Sequence, residues 1–281
     1  MRELIMDSYG KVNLALDILY KRNDGYHEIK SIMQRISLRD RLIFEEIDHG
    51  FVIESNHSQV PKDETNLVYR AWEKLVAITG ENRGIKVIIE KNIPVAAGLA
   101  GGSTNGATTL LALNELWDLK LSEDELMKIS RSLGADVPFC IMGATALAEG
   151  IGEKLTKLKP FSGKHILLCN PGIAISTEHA YSQVEFSDKR IDIEAMIKAI
   201  DADDLKTLAE NMGNTMEGPM IEEYPIIGEI KKLMLGNGAL GALMSGSGST
   251  VFGLYDDEEK MRFTEKKLLD IGDKVYLCKT L

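Results

Sequence analysis

A glycine-rich stretch in the first half of the chain has the composition of a phosphate-binding loop. Residues 93–105 read Ile-Pro-Val-Ala-Ala-Gly-Leu-Ala-Gly-Gly-Ser-Thr-Asn, between a predicted strand and a long apolar helix. Small residues let a backbone approach a ligand closely, and the first N–H groups and the dipole of a helix attract anions. The stretch lacks the Gly-Lys-Ser/Thr of a Walker A loop and the GxGxxG spacing of a dinucleotide site. It predicts a phosphate site, and taken alone it leaves a flexible connector as the alternative.

Two further segments carry side chains that could transfer a phosphoryl group. Near the N-terminus stands Gly-Lys-Val-Asn-Leu at 10–14, and Gly-Ala-Asp-Val-Pro-Phe occupies 134–139. Strand alternation would place Lys11 and Asn13 on one face. By residue type alone, Lys11 could equally be an edge-strand lysine that opposes aggregation, and Asp136 a surface-loop aspartate.

The elements that must position these residues are predicted from hydrophobic periodicity. The first sixty residues alternate as strands, and Asp24-Gly25 predicts a hairpin with a type I′ turn. Helices are predicted at about 65–78 and 103–117, with a strand at 84–90 between them. A further helix opens at Ser122 with capping-box spacing.

That further helix is predicted to bury Leu126, Ile129 and Leu133 and to end at Gly134. Pro138 should then prevent the helix from resuming. This prediction leaves Asp136 in an irregular loop.

The succession of predicted strands and helices is interrupted near 158–163. This interruption predicts two α+β domains, at 1–159 and 160–281, with the last strand packing back toward the first domain. The second half is predicted to contain a strand at 165–170, helices near 192–199, 203–212, 225–235 and 257–270, a hairpin over 241–255 and a last strand at 274–278.

Bulk composition excludes several classes of function. The net charge of -10 argues against a nucleic-acid partner, which requires a basic face. Without an apolar run of membrane-spanning length or a secretory signal, the sequence predicts a cytoplasmic protein with no membrane partner. Three widely spaced cysteines predict reduced thiols. Nothing in the pattern forces a dimer, so a monomer or weak homodimer is expected.

Three motifs in order identify a family resemblance. The stretch Pro-x-x-x-Gly-Leu-x-Gly-Gly-Ser-Thr at 94–104 resembles the phosphate loop of the GHMP kinases, the segment at 10–14 resembles their N-terminal motif, and Ser-Gly-Ser-Gly-Ser-Thr at 245–250 resembles their C-terminal motif. The resemblance covers nearly the whole chain. It implies a ribosomal-protein-S5-like N-terminal domain, a ferredoxin-like C-terminal domain, and ATP and substrate between them.

The resemblance also implies which residues contact ATP and Mg²⁺. The expected ATP-binding residues are Asn66, Lys91, Pro94, Gly98, Leu99, Ala100, Gly101, Gly102, Ser103, Thr104, Gly246 and Ser247. Asn66 is equally plausible as a helix cap. Mg²⁺ is expected because phosphoryl transfer from ATP requires it, and its protein ligands stay open. Alanines at 96, 97 and 100 replace glycines of some relatives, which requires negative φ or strain.

Two longer matches narrow the resemblance to the GHMP kinases that act on a cytidine diphosphate-linked methylerythritol. Lys-Arg-Asn-Asp-Gly-Tyr-His-Glu at 21–28 implies that Tyr26 stacks on cytosine and that His27 bonds its polar edge, with Tyr181 as the second stacking face.

In the same group the segment at 134–139 supplies the general base, which implies that role for Asp136. Lys11 would keep Asp136 ionised and stabilise charge during transfer, and Asn13 would orient the substrate hydroxyl or Asp136. The implied reaction is direct phosphorylation of the substrate's 2-hydroxyl, in the non-mevalonate isoprenoid pathway.

Three alternative functions fit these residues less well. Homoserine and mevalonate kinases share the expected fold but need no pocket for a base. A catalytically silent binding protein would not need both Lys11 and Asp136. An NAD-linked enzyme fails on the glycine spacing and on the lack of alternating βαβ units.

Overall fold

A computed structural model describes residues 2–81, 83–186 and 190–281. Its strands are β1 (Glu3–Lys21), β2 (His27–Ile47), β3 (Phe51–Ser55), β4 (Gly84–Glu90), β5 (Thr145–Gly150), β6 (Lys154–Lys157), β7 (His165–Asn170), β8 (Gly213–Asn214), β9 (Gly241–Met244), β10 (Val251–Tyr255) and β11 (Lys274–Lys279). Its helices are α1 (Leu67–Thr79), α2 (Gly101–Leu116), α3 (Glu123–Ser130), α4 (Val137–Met142), α5 (Thr177–Ser182), α6 (Ile193–Asp201), α7 (Leu205–Asn211), α8 (Glu217–Glu223), α9 (Pro225–Gly236) and α10 (Glu258–Leu268).

The chain divides into two compact units that are interleaved in sequence. The first unit consists of Met1–Gly10, Leu38–Val95 and Ala100–Gly143, and the second of Lys11–Ser37, Ala96–Leu99 and Ala144–Leu281. The predicted boundary between residues 159 and 160 does not coincide with these bounds, because segments distant in sequence pack into one unit. Composition along a chain does not report such long-range packing.

The first unit combines β3, β4 and parts of β1 and β2 with helices α1 to α4. Strand β4 pairs antiparallel with the end of β2 and parallel with β3. Helix α1 buries Val68, Ala71 and Leu75 on one face, which matches an amphipathic helix against a sheet. Helix α2 is buried around most of its circumference, as its apolar, small-residue sequence predicts.

The second unit contains the parts of β1 and β2 that flank their hairpin turn, within Lys11–Ser37, and a four-stranded sheet. Strand β5 pairs antiparallel with β2 and with β6, and the short β8 adds to β1 in parallel. The four-stranded sheet has the order β11-β7-β10-β9 and is antiparallel throughout. Thr280, which follows β11, pairs with Ile36 of β2, so the chain end returns to an N-terminal strand.

Local predictions succeed where the sequence signal is continuous. Strands β4 and β7 have the predicted bounds, and the Ser122–Glu125 capping box is present. Leu126 and Leu133 are buried, whereas Ile129 is only half-buried. The short elements β5, β6, β8, α5 and α8 were not predicted, because few of them are long enough to show a period.

Two local predictions were wrong. The β1–β2 hairpin forms, but Gly25 has φ 88° while the positive-φ positions do not include Asp24, so the turn is not type I′. Instead Gly25 N donates to Arg22 O and Arg22 N to Tyr26 O. Pro138 lies in the first turn of α4 with Asp136 at its N-cap position, because proline is well suited to a helix start. Asp136 is therefore not in an irregular loop.

Among the described residues, no helix has both the length and the apolar character needed to cross a membrane.

Candidate active site

Lys11 and Asn13 lie on one strand and are joined by a hydrogen bond. Lys11 Nζ donates to Asn13 Oδ1 at 2.6 Å, and Asn13 Nδ2 donates to Ser31 Oγ at 2.8 Å. Ser31 Oγ in turn donates to the carbonyl oxygen of Ala15 at 2.6 Å. All three side chains are buried, with Lys11 4% and Asn13 2% exposed. Two of the predicted site residues are therefore held together in a defined geometry.

The part of the glycine-rich loop in the second unit, Ala96–Leu99, contacts this strand directly. The backbone N–H of Lys11 donates to the carbonyl oxygen of Leu99 at 3.1 Å. Gly98 has φ 75°, and a Cβ added to it would lie 2.0 Å from the carbonyl oxygen of Ser245. Glycine is required at 98 both for its backbone angle and for this close approach.

The C-terminal motif packs against the same loop. Ser245 Oγ donates to the carbonyl oxygen of Gly98 at 2.9 Å, and a Cβ on Gly246 would lie 3.4 Å from Asn13 Oδ1. Asn214, on β8, donates from Nδ2 to the carbonyl oxygens of Met244 and Gly246, both at 2.8 Å. The N-terminal motif, the loop and the C-terminal motif thus meet within the second unit.

The serines of the C-terminal motif also connect it to the segment before Tyr181. Ser249 Oγ donates to the carbonyl oxygen of Ile173, and the hydroxyls of Ser247 and Thr177 lie 3.4 Å apart. Thr177 opens helix α5, which carries Tyr181. The predicted ATP-binding residue Ser247 therefore lies against the element that bears a predicted substrate-binding residue.

The first unit supplies the start of helix α2. Ala100 is its N-cap residue and has φ 56°, and Ala96 has φ 52°. Both alanines therefore adopt a strained positive φ instead of a negative φ. Each such residue costs of order 1–3 kcal/mol. Ala100 has no side-chain oxygen that could cap the helix, which leaves the first N–H groups available to an anion.

The first turn of α2 has one open face. A Cβ on Gly102 would meet nothing within 4 Å, whereas Thr104 is 3% exposed. Asn105, to which no catalytic role was assigned, is buried and accepts a hydrogen bond from Ser8 Oγ at 2.8 Å. The arrangement fits a phosphate that approaches the backbone at Gly102.

Lys91 is buried in an ion pair near the start of α2. Its ammonium bonds Oδ2 of Asp40, and the Lys91 and Asp40 side chains are 4% and 0% exposed. The other oxygen of Asp40 accepts from the backbone N–H groups of Asn92 and Ile93 at 2.7 and 2.8 Å. Burial lowers the pKa of Lys91, and the negative charge of Asp40 opposes this shift.

The position of Lys91 explains the glycine at 101. A Cβ on Gly101 would lie 2.7 Å from Lys91 Nζ, so the ammonium packs against the first residue of α2. A positive charge at a helix N-terminus is unfavourable by itself, and Asp40 offsets it. Because the two charges offset each other and Lys91 is engaged with Asp40, the predicted contact of Lys91 with ATP stays a prediction.

Asn66 acts as a helix cap in the structure. Its Oδ1 accepts from Val68 N at 2.9 Å, and its Nδ2 donates to the carbonyl oxygen of Pro61 at 2.7 Å. The capping alternative is confirmed, while the predicted ATP contact at Asn66 stays a prediction.

Asp136 is the N-cap residue of helix α4 in the first unit. Its carbonyl oxygen accepts from Cys140 N in the first turn of α4, and α4 packs against α2. Because α2 begins in the glycine-rich loop, the fold brings the predicted base and the predicted phosphate site into one unit.

Two of the predicted base-binding residues, His27 and Tyr181, are in ring contact in the second unit. The His27 ring stacks on Tyr181, with centroids 4.8 Å apart and an interplanar angle of 17°. Phe186 also faces His27, at 6.1 Å and 27°, and Tyr26 is 60% exposed. In this structure His27 itself stacks on Tyr181. The resemblance had instead implied that His27 hydrogen-bonds the polar edge of the cytosine and that Tyr181 stacks on it. Burial, and then the charge of Lys21, lower the pKa of His27.

Comparisons with known proteins identify the family. The model of the GHMP kinases N terminal domain matches residues 66–144, and that of the GHMP kinases C terminal region matches residues 196–270. The 4-diphosphocytidyl-2-C-methyl-D-erythritol kinase of Caldicellulosiruptor bescii is 46% identical over 90% of this chain and 90% of its own. The enzyme of that name from Acetivibrio thermocellus is 43% identical over 100% of both chains.

This chain belongs to the GHMP kinases.

Solved structures agree with that assignment. A crystal structure of 4-(cytidine 5'-diphospho)-2C-methyl-D-erythritol kinase matches with a TM-score of 0.84 and 32% identity over 99% of each chain. A homoserine kinase from Cytophaga hutchinsonii matches with a TM-score of 0.79 at 18% identity, which supports the fold alone. The predicted two-domain α+β GHMP kinase fold is confirmed, and the protein is a small-molecule kinase.

Sequence reasoning missed several residues of this GHMP kinase that contact predicted site residues. Among them are Ser31, Asp40, Phe186 and Asn214. Each of these residues is far in sequence from the motif that it contacts, or lies outside every motif, so a motif read along the chain does not include it. A buried polar residue on a strand, such as Ser31 or Asp40, was the one signal available, because such groups need partners.

The described residues offer a position for the phosphates of ATP but do not define a set of metal ligands. The uncapped start of α2 and the open face of Gly102 suit the phosphates. Within the described part of the chain, no group of three or more His, Cys, Asp or Glu is placed to hold a metal ion. The hydroxyls of Ser103 and Thr104 lie in the first turn of α2.

Proposed function

We propose that this GHMP kinase transfers the γ-phosphoryl group of ATP to the 2-hydroxyl of 4-diphosphocytidyl-2-C-methyl-D-erythritol. The observation that carries the proposal is the cluster of His27 and Tyr181, with centroids 4.8 Å apart, beside an exposed Tyr26. Homoserine and mevalonate have no base, so an aromatic site would serve neither. Full-length relatives bearing the name of that kinase support the same substrate.

The proposed step is a direct displacement. Asp136 accepts the proton of the substrate hydroxyl as its oxygen forms a bond to the γ-phosphorus. The bond from that phosphorus to the β,γ-bridging oxygen breaks, and ADP leaves. Lys11, held by Asn13 Oδ1 at 2.6 Å, stabilises the negative charge that develops. We expect no phosphorylated enzyme.

The first N–H groups of α2, which the N-cap residue Ala100 leaves without a side-chain hydrogen bond, would hold the triphosphate. We propose that the hydroxyl of Ser103 or Thr104 would hold Mg²⁺, which would supply positive charge to neutralise the triphosphate. We further propose a cytoplasmic enzyme without nucleic-acid or membrane partners, monomeric or weakly dimeric.

The decisive experiment measures ATP consumption by the purified full chain with 4-diphosphocytidyl-2-C-methyl-D-erythritol, mevalonate or homoserine. We expect turnover with the cytidine substrate only. Turnover with another acceptor would overturn the substrate assignment but leave the family intact.

A second arm tests the base-binding cluster. Tyr26→Ala and His27→Ala should weaken binding of the cytidine substrate much more than binding of ATP. Equal losses for both ligands would contradict the proposed pocket.

A further inference from the structure

Three hydrogen bonds connect Lys11 to the backbone of its own strand through Asn13 and Ser31. They run from Lys11 Nζ to Asn13 Oδ1 at 2.6 Å, from Asn13 Nδ2 to Ser31 Oγ at 2.8 Å, and from Ser31 Oγ to the carbonyl oxygen of Ala15 at 2.6 Å. Ser31 lies on β2 and is fully buried. It belongs to none of the three family motifs.

The hydrogen atoms available determine the direction of all three bonds. A carbonyl oxygen only accepts, so the single hydroxyl hydrogen of Ser31 goes to Ala15. Ser31 Oγ can then only accept from Asn13, which requires the NH₂ group of Asn13 to face Ser31. The Asn13 carbonyl therefore faces Lys11, whose ammonium can only donate. The two ends of the network independently require the same amide orientation.

We infer that Ser31 is a positioning residue for phosphoryl transfer. Its hydroxyl holds the Asn13 amide in the one orientation that presents an oxygen to Lys11, and so fixes the direction of the ammonium. A flipped amide would place NH₂ 2.6 Å from a cation that cannot accept a hydrogen bond. The inference rests on the proposed roles of Lys11 and Asn13.

Removing the hydroxyl leaves a buried amide hydrogen of Asn13 without its acceptor, so Lys11 alone then orients the amide and its position is less tightly fixed. We expect Ser31→Ala to lower kcat about tenfold while the KM for ATP changes less than about twofold. Ser31→Thr keeps the hydroxyl and should recover most of kcat. A change confined to KM, or equal activity of the Ala and Thr variants, would overturn the inference.

A double-mutant cycle separates positioning from general stabilisation. If Ser31 acts through Asn13, Ser31→Ala should cost no further kcat in an Asn13→Ala background. Independent, multiplicative losses would contradict the inference. Thr264→Val is the matched control, because its buried hydroxyl donates to the carbonyl oxygen of Lys260 at 2.8 Å on helix α10. It should lower the melting temperature and leave kcat unchanged.

The order of measurements keeps this inference distinct from the proposed substrate. Wild-type turnover is measured first, and the Ser31 variants are then compared with whichever acceptor the enzyme uses. A wrong substrate would therefore leave the test intact. If Ser31→Ala does not fold, Ser31→Cys replaces it, since a thiol is a weak donor and acceptor. A kcat for Ser31→Cys equal to that of Ser31→Thr would then refute the positioning role.

Discussion

Gly98 and Ser245 approach so closely that a methyl group on Gly98 would lie 2.0 Å from the Ser245 carbonyl oxygen. The Ser245 hydroxyl at the same time donates to the Gly98 carbonyl at 2.9 Å. The two residues are 147 positions apart, so this contact joins the glycine-rich loop to the C-terminal motif.

The first prediction concerns that contact. Gly98→Ala should destabilise the fold by several times more than Gly163→Ala. Gly163 has φ 80° and open space around it, so its substitution carries only the backbone strain, of about 1 kcal/mol. Gly98 has a similar φ of 75° and the added overlap with Ser245. Urea unfolding of both variants measures the difference, and equal losses would show that the loop can move away from Ser245.

The second prediction places the phosphates. Gly102→Ala should leave the melting temperature unchanged or slightly raised, because a Cβ there meets nothing within 4 Å and alanine favours a helix. It should weaken ATP binding at least about tenfold, because the methyl group would occupy the phosphate position. Gly236→Ala, equally open at the end of α9, serves as the control. Calorimetric titration with ATP measures both, and unchanged affinity in Gly102→Ala would exclude a phosphate against this residue.

The third prediction tests the general base. Asp136→Asn should lower kcat by about 10²–10⁴-fold with little effect on the melting temperature, since the Asp136 carbonyl that accepts from Cys140 N is retained. Single-turnover kinetics with saturating ATP measure the loss. A kcat within a factor of about three of the wild type would remove Asp136 from the proton-transfer step.

The fourth prediction follows from the lowered pKa of His27. Above its ordinary pKa of about 6.5 the imidazole is neutral in both folded and unfolded chains, so the shift has no effect on stability. As the pH falls from there to the lowered pKa, the unfolded chain binds a proton that the folded chain does not, and stability falls. Wild type should therefore lose more stability than His27→Gln between pH 7.5 and 5.5 in urea unfolding.

An NMR titration of the imidazole checks the cause of that shift. Lys21→Gln should raise the His27 pKa only part of the way, because burial is the larger cause and Lys21 the smaller. Full recovery of the ordinary pKa would show instead that charge repulsion dominates.

The fifth prediction concerns Cys169, which is buried on β7 and whose pKa is raised by burial to about 12. At pH 8.5 roughly one molecule in three thousand would carry the thiolate. Iodoacetamide should therefore leave Cys169 unmodified in the folded enzyme and alkylate it readily in urea. Peptide mass spectrometry gives the comparison, and rapid native labelling would indicate local opening of the four-stranded sheet.

Candidate site residues could be located from the sequence where they lie in short contiguous motifs. The glycine-rich loop and the segments around Lys11 and Asp136 could be located because each motif is read along the chain. Pro138 was misjudged because the same residue stops one helix and starts another, and the local sequence does not decide between them.

Partners distant in sequence could not be located in this way. Asp40 meets Lys91 51 positions later, and Ser31 meets Asn13 from a different strand. Periodicity indicates that such polar residues are on strands but carries no information on which side chain they face.

The interleaving of the two units limits how members of this family can exchange parts. Each unit is assembled from three separate stretches of chain, and both β1 and β2 cross from one unit to the other. A single crossover between two related genes therefore cannot transplant either unit whole; it would join strands inherited from different parents. Chimeras of such enzymes would need five coordinated junctions, so the lineage should diversify by point substitution far more readily than by shuffling.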